Sequence, residues 1–196
     1  GKNTVTLNPT TTKGASVRTV ADSSGIRFQG TVTQDSIDFL KAFYNTDKVY
    51  SGVAIVPADY LEETNGVFTF AALKAENLIW ATTNASTGLI NNNDGTYTVR
   101  LALTDIKSGN LNRDFVAIAY VYADIDNETG ASAGDAVIYA NEYSNARSIV
   151  EVAKAALNDV KDAKVDNYTT EVIIDGKVKY SRYSEAQIAI LKSYAK

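Results

Sequence analysis

The sequence predicts an α+β domain: a mostly antiparallel sheet or β-sandwich carrying two to four packed helices. Three observations lead there. Apolar and polar residues alternate in run after run, as from Tyr97 to Leu103. Hairpin-type turn signals such as Asn93-Asp94-Gly95 and Asp175-Gly176 stand beside several of these runs. Between them lie segments whose apolar residues return at spacings of three and four. No glycine-rich phosphate loop follows a strand, which speaks against a doubly wound nucleotide fold.

The elements follow in order. Residues 1–13 are polar and Thr-rich, with Pro9 interrupting any ladder, and read as a flexible arm or linker. Residues 14–196 then form one module, with 161–196 as a candidate C-terminal subregion. ASVRTV and IRFQGTVT form a hairpin in which Ile26, Phe28, Gly30 and Val32 share one face. Thr33 caps a helix whose core stripe is Ile37, Leu40, Phe43 and Tyr44. YSGVAIVP is a buried strand stopped by Pro57, and ADYLEE a helical turn. GVFTF looks extended, and AALKAENLIWATTNA reads as either a short helix or strand and loop, the balance favouring irregular structure with strand character at Leu78-Ile79-Trp80.

After the Asn/Gly turn comes the strand TYTVRLALTDI, then FVAIAYVYADI, the most apolar run and the expected central strand. AVIYANEY is a further strand. Ser148 and Glu151 have capping-box spacing ahead of a stripe of Ile149, Val152, Ala153, Ala156, Leu157 and Val160, with Ser144 as an alternative start. EVIIDGKVKYS is a hairpin, and Ser184 with Gln187 opens a last helix carrying Ile188, Leu191 and Tyr194.

Composition narrows the chemistry. The chain has 196 residues with Lys plus Arg 19 against Asp plus Glu 23, a net charge of -4 without any basic run. Nucleic acid is therefore not an expected partner, because phosphate recognition concentrates positive charge. There is no Cys, His or Met, which excludes disulfides, thiol nucleophiles, imidazole bases and the usual zinc, haem and copper ligand sets. No run of about 18 apolar residues occurs, so direct membrane insertion is not expected. The abundance of Thr, Asn, Ser, Ala and Tyr resembles that of bacterial surface proteins.

The order GASVRTVADSSGIRFQG, GVAIVPADYL, DFVAIAYVYAD and VIYANEYSNARSIVEVAKAAL resembles an accessory module of large secreted or wall-attached multidomain proteins of anaerobic Firmicutes. The likeness covers about residues 14–160. It rests most on Gly14 to Arg18 with Gly25 to Phe28, and on Tyr143-Ser144 with Arg147-Ser148. The Ala/Asn-rich stretch at 71–95 departs from it. The resemblance implies an extracellular or cell-wall location and neighbouring domains of a larger chain, not a substrate.

Tyrosine is in excess, with 12 Tyr against 6 Phe and a single Trp. Trp80, Tyr97, Tyr120, Tyr122, Tyr139 and Tyr143 are candidates for stacking on sugars, but Tyr120 and Tyr122 share one strand face, and such rows more commonly serve as sheet core or rim packing. Arg18 and Arg27 on adjacent strands suit a structural ion pair or an anionic ligand, and Arg147 suits a tie between Tyr143, the helix start and the sheet. Asp124, Asp126 and Glu128 offer the hard oxygens that Ca²⁺ takes, although the glycine of the twelve-residue loop is missing. Asp59 with Glu62 or Glu63, and Glu142 near Asp135, are the pairs a glycoside hydrolase would draw on, at roughly 5–10 Å separation. The sequence thus favours a non-catalytic structural, adhesion or protein-interaction module, not an enzyme, meeting a cell-surface protein or glycan. A carbohydrate-binding module is the alternative and a glycoside hydrolase the third reading. No cofactor is expected beyond the candidate Ca²⁺.

Overall fold

The computed structural model describes residues 6–78, 81–82, 89–125, 136–162, 169–174 and 176–196. Its elements begin with β1 (Thr10–Thr11), β2 (Ser16–Arg18), β3 (Gly25–Thr33), α1 (Gln34–Tyr44), β4 (Val49–Pro57), α2 (Tyr60–Glu63), α3 (Phe70–Ala75) and β5 (Ala81–Thr82). They continue with β6 (Ile90–Asn91), β7 (Thr96–Thr104), β8 (Phe115–Ala123), β9 (Val137–Tyr139), α4 (Ile149–Asp162), β10 (Thr169–Ile174), β11 (Lys177–Arg182) and α5 (Glu185–Tyr194). One sheet has the order β1-β3-β7-β6, with β2 also paired to β3; the other runs β5-β4-β8-β9; β10 and β11 form a hairpin of their own. All the pairings are antiparallel. This is the α+β architecture that the patterning predicts.

The two larger sheets face each other, and alternation decides which side chains fill the space between them. Ile26, Phe28, Gly30 and Val32 of β3 are buried while Arg27, Gln29, Thr31 and Thr33 are half-exposed. The register sets Gly30 opposite Val99 and Phe28 opposite Leu101, so both strands turn their apolar set inward. A Cβ on Gly30 would lie 2.6 Å from the Ala119 Cβ and 2.6 Å from the Thr10 carbonyl oxygen. Glycine here permits the close approach of β3 and β8.

Every residue of β8 is buried. The two faces of the strand have different covers. Ala119 looks toward β3, while Tyr120 meets the Phe70 ring of α3 edge-on at 5.0 Å. Farther along, Val121 and Ala123 form a small cluster with Leu40 of α1. Ile149, Val152 and Ala153 of α4 and Leu191 of α5 join the main core.

The helix starts follow their caps. The Thr33 hydroxyl accepts from the Ser36 N–H at 3.1 Å, and the Ser148 hydroxyl from the Glu151 N–H at 3.2 Å, so α4 starts after Ser148 and not at Ser144. Ser184 and Gln187 form a reciprocal capping box.

Four expectations are corrected. Residues 8–13 are docked, not a free arm: Thr10 and Thr11 pair with Thr31 and Gly30, and the Asn8 amide donates to the Tyr139 carbonyl at 3.0 Å. GVFTF is not a strand, because Thr69 accepts from the Ala72 N–H at 3.1 Å and turns the chain into α3. That helix also decides 71–75 for the short helix, against the irregular structure favoured there. Phe43 is not core: with 67% exposure it lies off the inward stripe formed by Ile37, Leu40 and Tyr44.

Candidate contact surfaces

The tyrosines expected to stack on a ligand divide by burial. Tyr120 and Tyr122 are 0% and 1% exposed. They lie 5.9 Å apart ring to ring, and Tyr122 meets Tyr50 at 5.6 Å. Two rings on one face of a central strand under a covering helix are core, so neither offers a platform to a sugar. Tyr139 is half-buried; its hydroxyl accepts from the Phe70 N–H at 2.9 Å, and burial pushes its phenol up to about 12. Tyr97 is half-buried and donates to the Gln34 amide oxygen at 2.7 Å. Tyr143 is exposed at 36% and leans on Phe68, ring centres 6.0 Å apart. Trp80 lies outside the described residues.

The arginines serve local structure. The register places Ser16 opposite Arg27 and Arg18 opposite Gly25, which puts both guanidinium groups on one face of the β2–β3 hairpin. Arg18 donates to the Ser23 carbonyl at 2.7 Å and to its hydroxyl, binding the turn rather than a carboxylate. Arg27 donates from Nε to the Ser16 hydroxyl at 3.0 Å. Arg147 ties chain to sheet through its backbone, which exchanges both hydrogen bonds with Phe115 at 2.9 Å. Among the described residues its side chain donates to the neighbouring Ala146 carbonyl alone, at 2.9 Å.

The acidic candidates are surface groups or lie out of view. Asp59 is held by Arg113, whose Nη2 reaches both carboxylate oxygens at 3.1 and 3.0 Å. Glu142 pairs with Lys13 at 2.9 Å, and that hydrogen bond holds its carboxyl below the usual range, the opposite of what a general acid needs. Glu62 and Glu63 are exposed on α2, and Asp135 lies outside the described residues. Of the candidate Ca²⁺ ligands, Asp126 and Glu128 also lie outside them. Asp124 follows the end of β8, with its N–H on the Lys48 carbonyl at 2.8 Å and its Oδ1 buried without a partner among the described residues.

Two surfaces escaped the sequence reading. The first is a ridge on α1. Phe39 and Phe43 are 43% and 67% exposed and stack at 5.6 Å with ring planes 22° apart, and Tyr44 closes on Phe43 edge-on at 4.9 Å. Exposed Asp35 stands four residues before Phe39, on the same face of α1. An aromatic pair four residues apart but beside the core stripe is the signal that could have found it.

The second is a groove of about 460 Å³ between β2 and α4. Gly14 to Val17 form one wall; Arg147, Glu151, Val152, Ala155 and Ala156 form the other, and Tyr183 also lines it. The groove brings together residues 14–17 and Arg147, which are 130 residues or more apart in the chain.

Among the described residues no helix is long and apolar enough to cross a membrane. Comparison with protein-family models, curated proteins and solved structures finds no match. Fold and surfaces together define an α+β sandwich domain with an aromatic ridge and an edge-strand groove.

Proposed function

We propose that this chain is a non-catalytic extracellular module whose task is protein contact, made through the outward face of α1. The carrying observation is the Phe39–Phe43 stack, solvent-exposed on a domain that buries Phe28, Tyr120 and Tyr122 completely or nearly so. Exposed aromatic pairs of this kind supply the anchors that dominate protein interfaces. Asp35 beside the rings favours a partner with an apolar groove that carries a basic side chain at its rim. The engagement of Asp59 with Arg113 and of Glu142 with Lys13 supports a non-catalytic reading of those carboxylates.

The test uses cell-surface proteins retained on the immobilised domain, each purified and titrated separately. A Phe39→Ala/Phe43→Ala variant is expected to lose affinity by about 10- to 100-fold, the range of a hot-spot truncation. Its unfolding midpoint should stay within error of the parent. Equal affinity of the two proteins for every retained partner sinks the reading. Loss of binding to a glycan panel instead would reassign the ridge to carbohydrate recognition.

A further inference from the structure

The groove beside β2 belongs to neither the core nor the ridge. β2 is an edge strand: it pairs with β3 on one side, and no strand among the described residues pairs with its other side. Such an edge leaves N–H and C=O groups ready to accept another chain. Edge strands are commonly blunted by charge, proline, a bulge or a covering helix; here α4 packs beside β2 and a groove is left between the two. Val17 and Val152 give the groove buried apolar walls, while Gly14, Ala155 and Ala156 leave room for a second backbone. A Cβ placed on Gly14 meets nothing within 4 Å. The volume of about 460 Å³ falls within the range of about 300–1,000 Å³ typical of ligand sites.

Two charges line the same groove. Arg147 is half-buried and, apart from the bond to Ala146, its guanidinium has no protein partner among the described residues. Glu151, in the first turn of α4, has an exposed carboxylate, likewise unpaired among those residues. Arg147 lies just before α4 and Glu151 in its first turn, so both of these long side chains stand at the N-terminal end of the helical wall. Side chains on one face of an extended chain repeat every ~7 Å. An acidic and a basic residue two positions apart on a strand therefore suit the pair.

We propose that the groove is a strand-addition site, in which an extended segment of a partner protein pairs with the free edge of β2 and sets an acidic and a basic side chain, two residues apart, against Arg147 and Glu151. Backbone bonds to β2 supply affinity, and the two charges supply register. The small residues of α4 exclude partners with bulky side chains on the face turned toward the helix. This site stands apart from the α1 ridge and holds whether or not the ridge binds a protein.

The experiment titrates six-residue peptides into the isotopically labelled full chain and follows its amide resonances. Two peptides carry Asp-Ala-Lys or Lys-Ala-Asp at their centre, and a third carries three alanines there. At least one charged peptide is expected to shift the Gly14–Arg18 and Glu151–Ala156 amides saturably and to slow hydrogen exchange in β2. It should bind at least tenfold more tightly than the neutral peptide. Arg147→Gln should weaken that binding at least tenfold, and Ala155→Leu, which fills the groove from an exposed helix position, should abolish it. Both variants should keep the parental spectrum elsewhere. Absence of saturable shifts at these amides overturns the proposal, as does binding indifferent to both variants. Equal competition by free amino acids would assign the groove to a small zwitterion instead, and the same shifts on self-association without peptide would assign it to a second copy.

Discussion

Tyr139 connects β9 to a helix that begins 69 residues earlier in the chain. Its hydroxyl takes the N–H of Phe70, the first residue of α3, a donor that no turn of that helix can satisfy. The ring also packs on Phe70 at 5.6 Å. Tyr139→Phe keeps the ring and orphans the N–H, so it should lower stability at neutral pH by about 1–2 kcal/mol. The pH dependence has a definite sign. Burial raises the phenol from 10.0 to about 12, so the unfolded chain releases this proton first. The folded state should therefore hold its stability up to about pH 10 and lose it as pH rises through about 12. Urea titrations of the parent and Tyr139→Phe across this window should converge as the pH rises. A constant gap between them would refute the assignment.

At the scale of elements, β3 and β8 show what alternation alone can convey. The inward set Ile26, Phe28, Gly30 and Val32 was legible because a one-sided strand repeats every second residue. The caps at Thr33, Ser148 and Ser184 were legible because hydroxyl residues precede a helical stripe. The same logic failed where two signals overlapped: Val67-Phe68-Thr69-Phe70 has a strand's composition, yet Thr69 acts as a cap and Phe70 turns onto Tyr120. At Tyr120 and Tyr122 the shared strand face pointed to sheet core, which their burial bears out, while the helix that covers Tyr120 lies too far away in sequence to be read. The groove was beyond reach, since its walls meet only through the fold. Gly30, in contrast, carries a direct expectation. Gly30→Ala forces a methyl into Ala119 and into the Thr10 carbonyl, and should destabilise by about 1–3 kcal/mol, the usual cost of overpacking a core. Chemical denaturation measures it, and an unchanged midpoint would show that β3 and β8 yield more readily than their spacing implies.

For the whole molecule the question is whether the C-terminal residues stand alone. Leu191 of α5 is 0% exposed and belongs to the main core. Gln187 donates to the Thr19 hydroxyl at 3.2 Å, and Tyr194 shares a hydrogen bond of 2.5 Å with Ser24. α5 is thereby bound to the β2–β3 turn. Leu191→Ala should lower global stability by about 2–5 kcal/mol, as large-to-small core changes do, with fluorescence and circular dichroism midpoints moving together. Two separate transitions would mean that the last helix unfolds as its own unit.

That attachment has a mechanical corollary. Thr6 lies against Thr33, at one end of β3, with its carbonyl accepting from the Thr33 hydroxyl at 3.4 Å. Tyr194 is fastened beside Ser24, at the other end of the nine-residue strand, roughly 27 Å away at ~3 Å per residue. A pull applied between these two points runs lengthwise along β3. The covalent backbone of β3 then carries the tension, and the fastenings at its two ends, the β1–β3 rungs on one side and the Ser24–Tyr194 hydrogen bond on the other, bear the load.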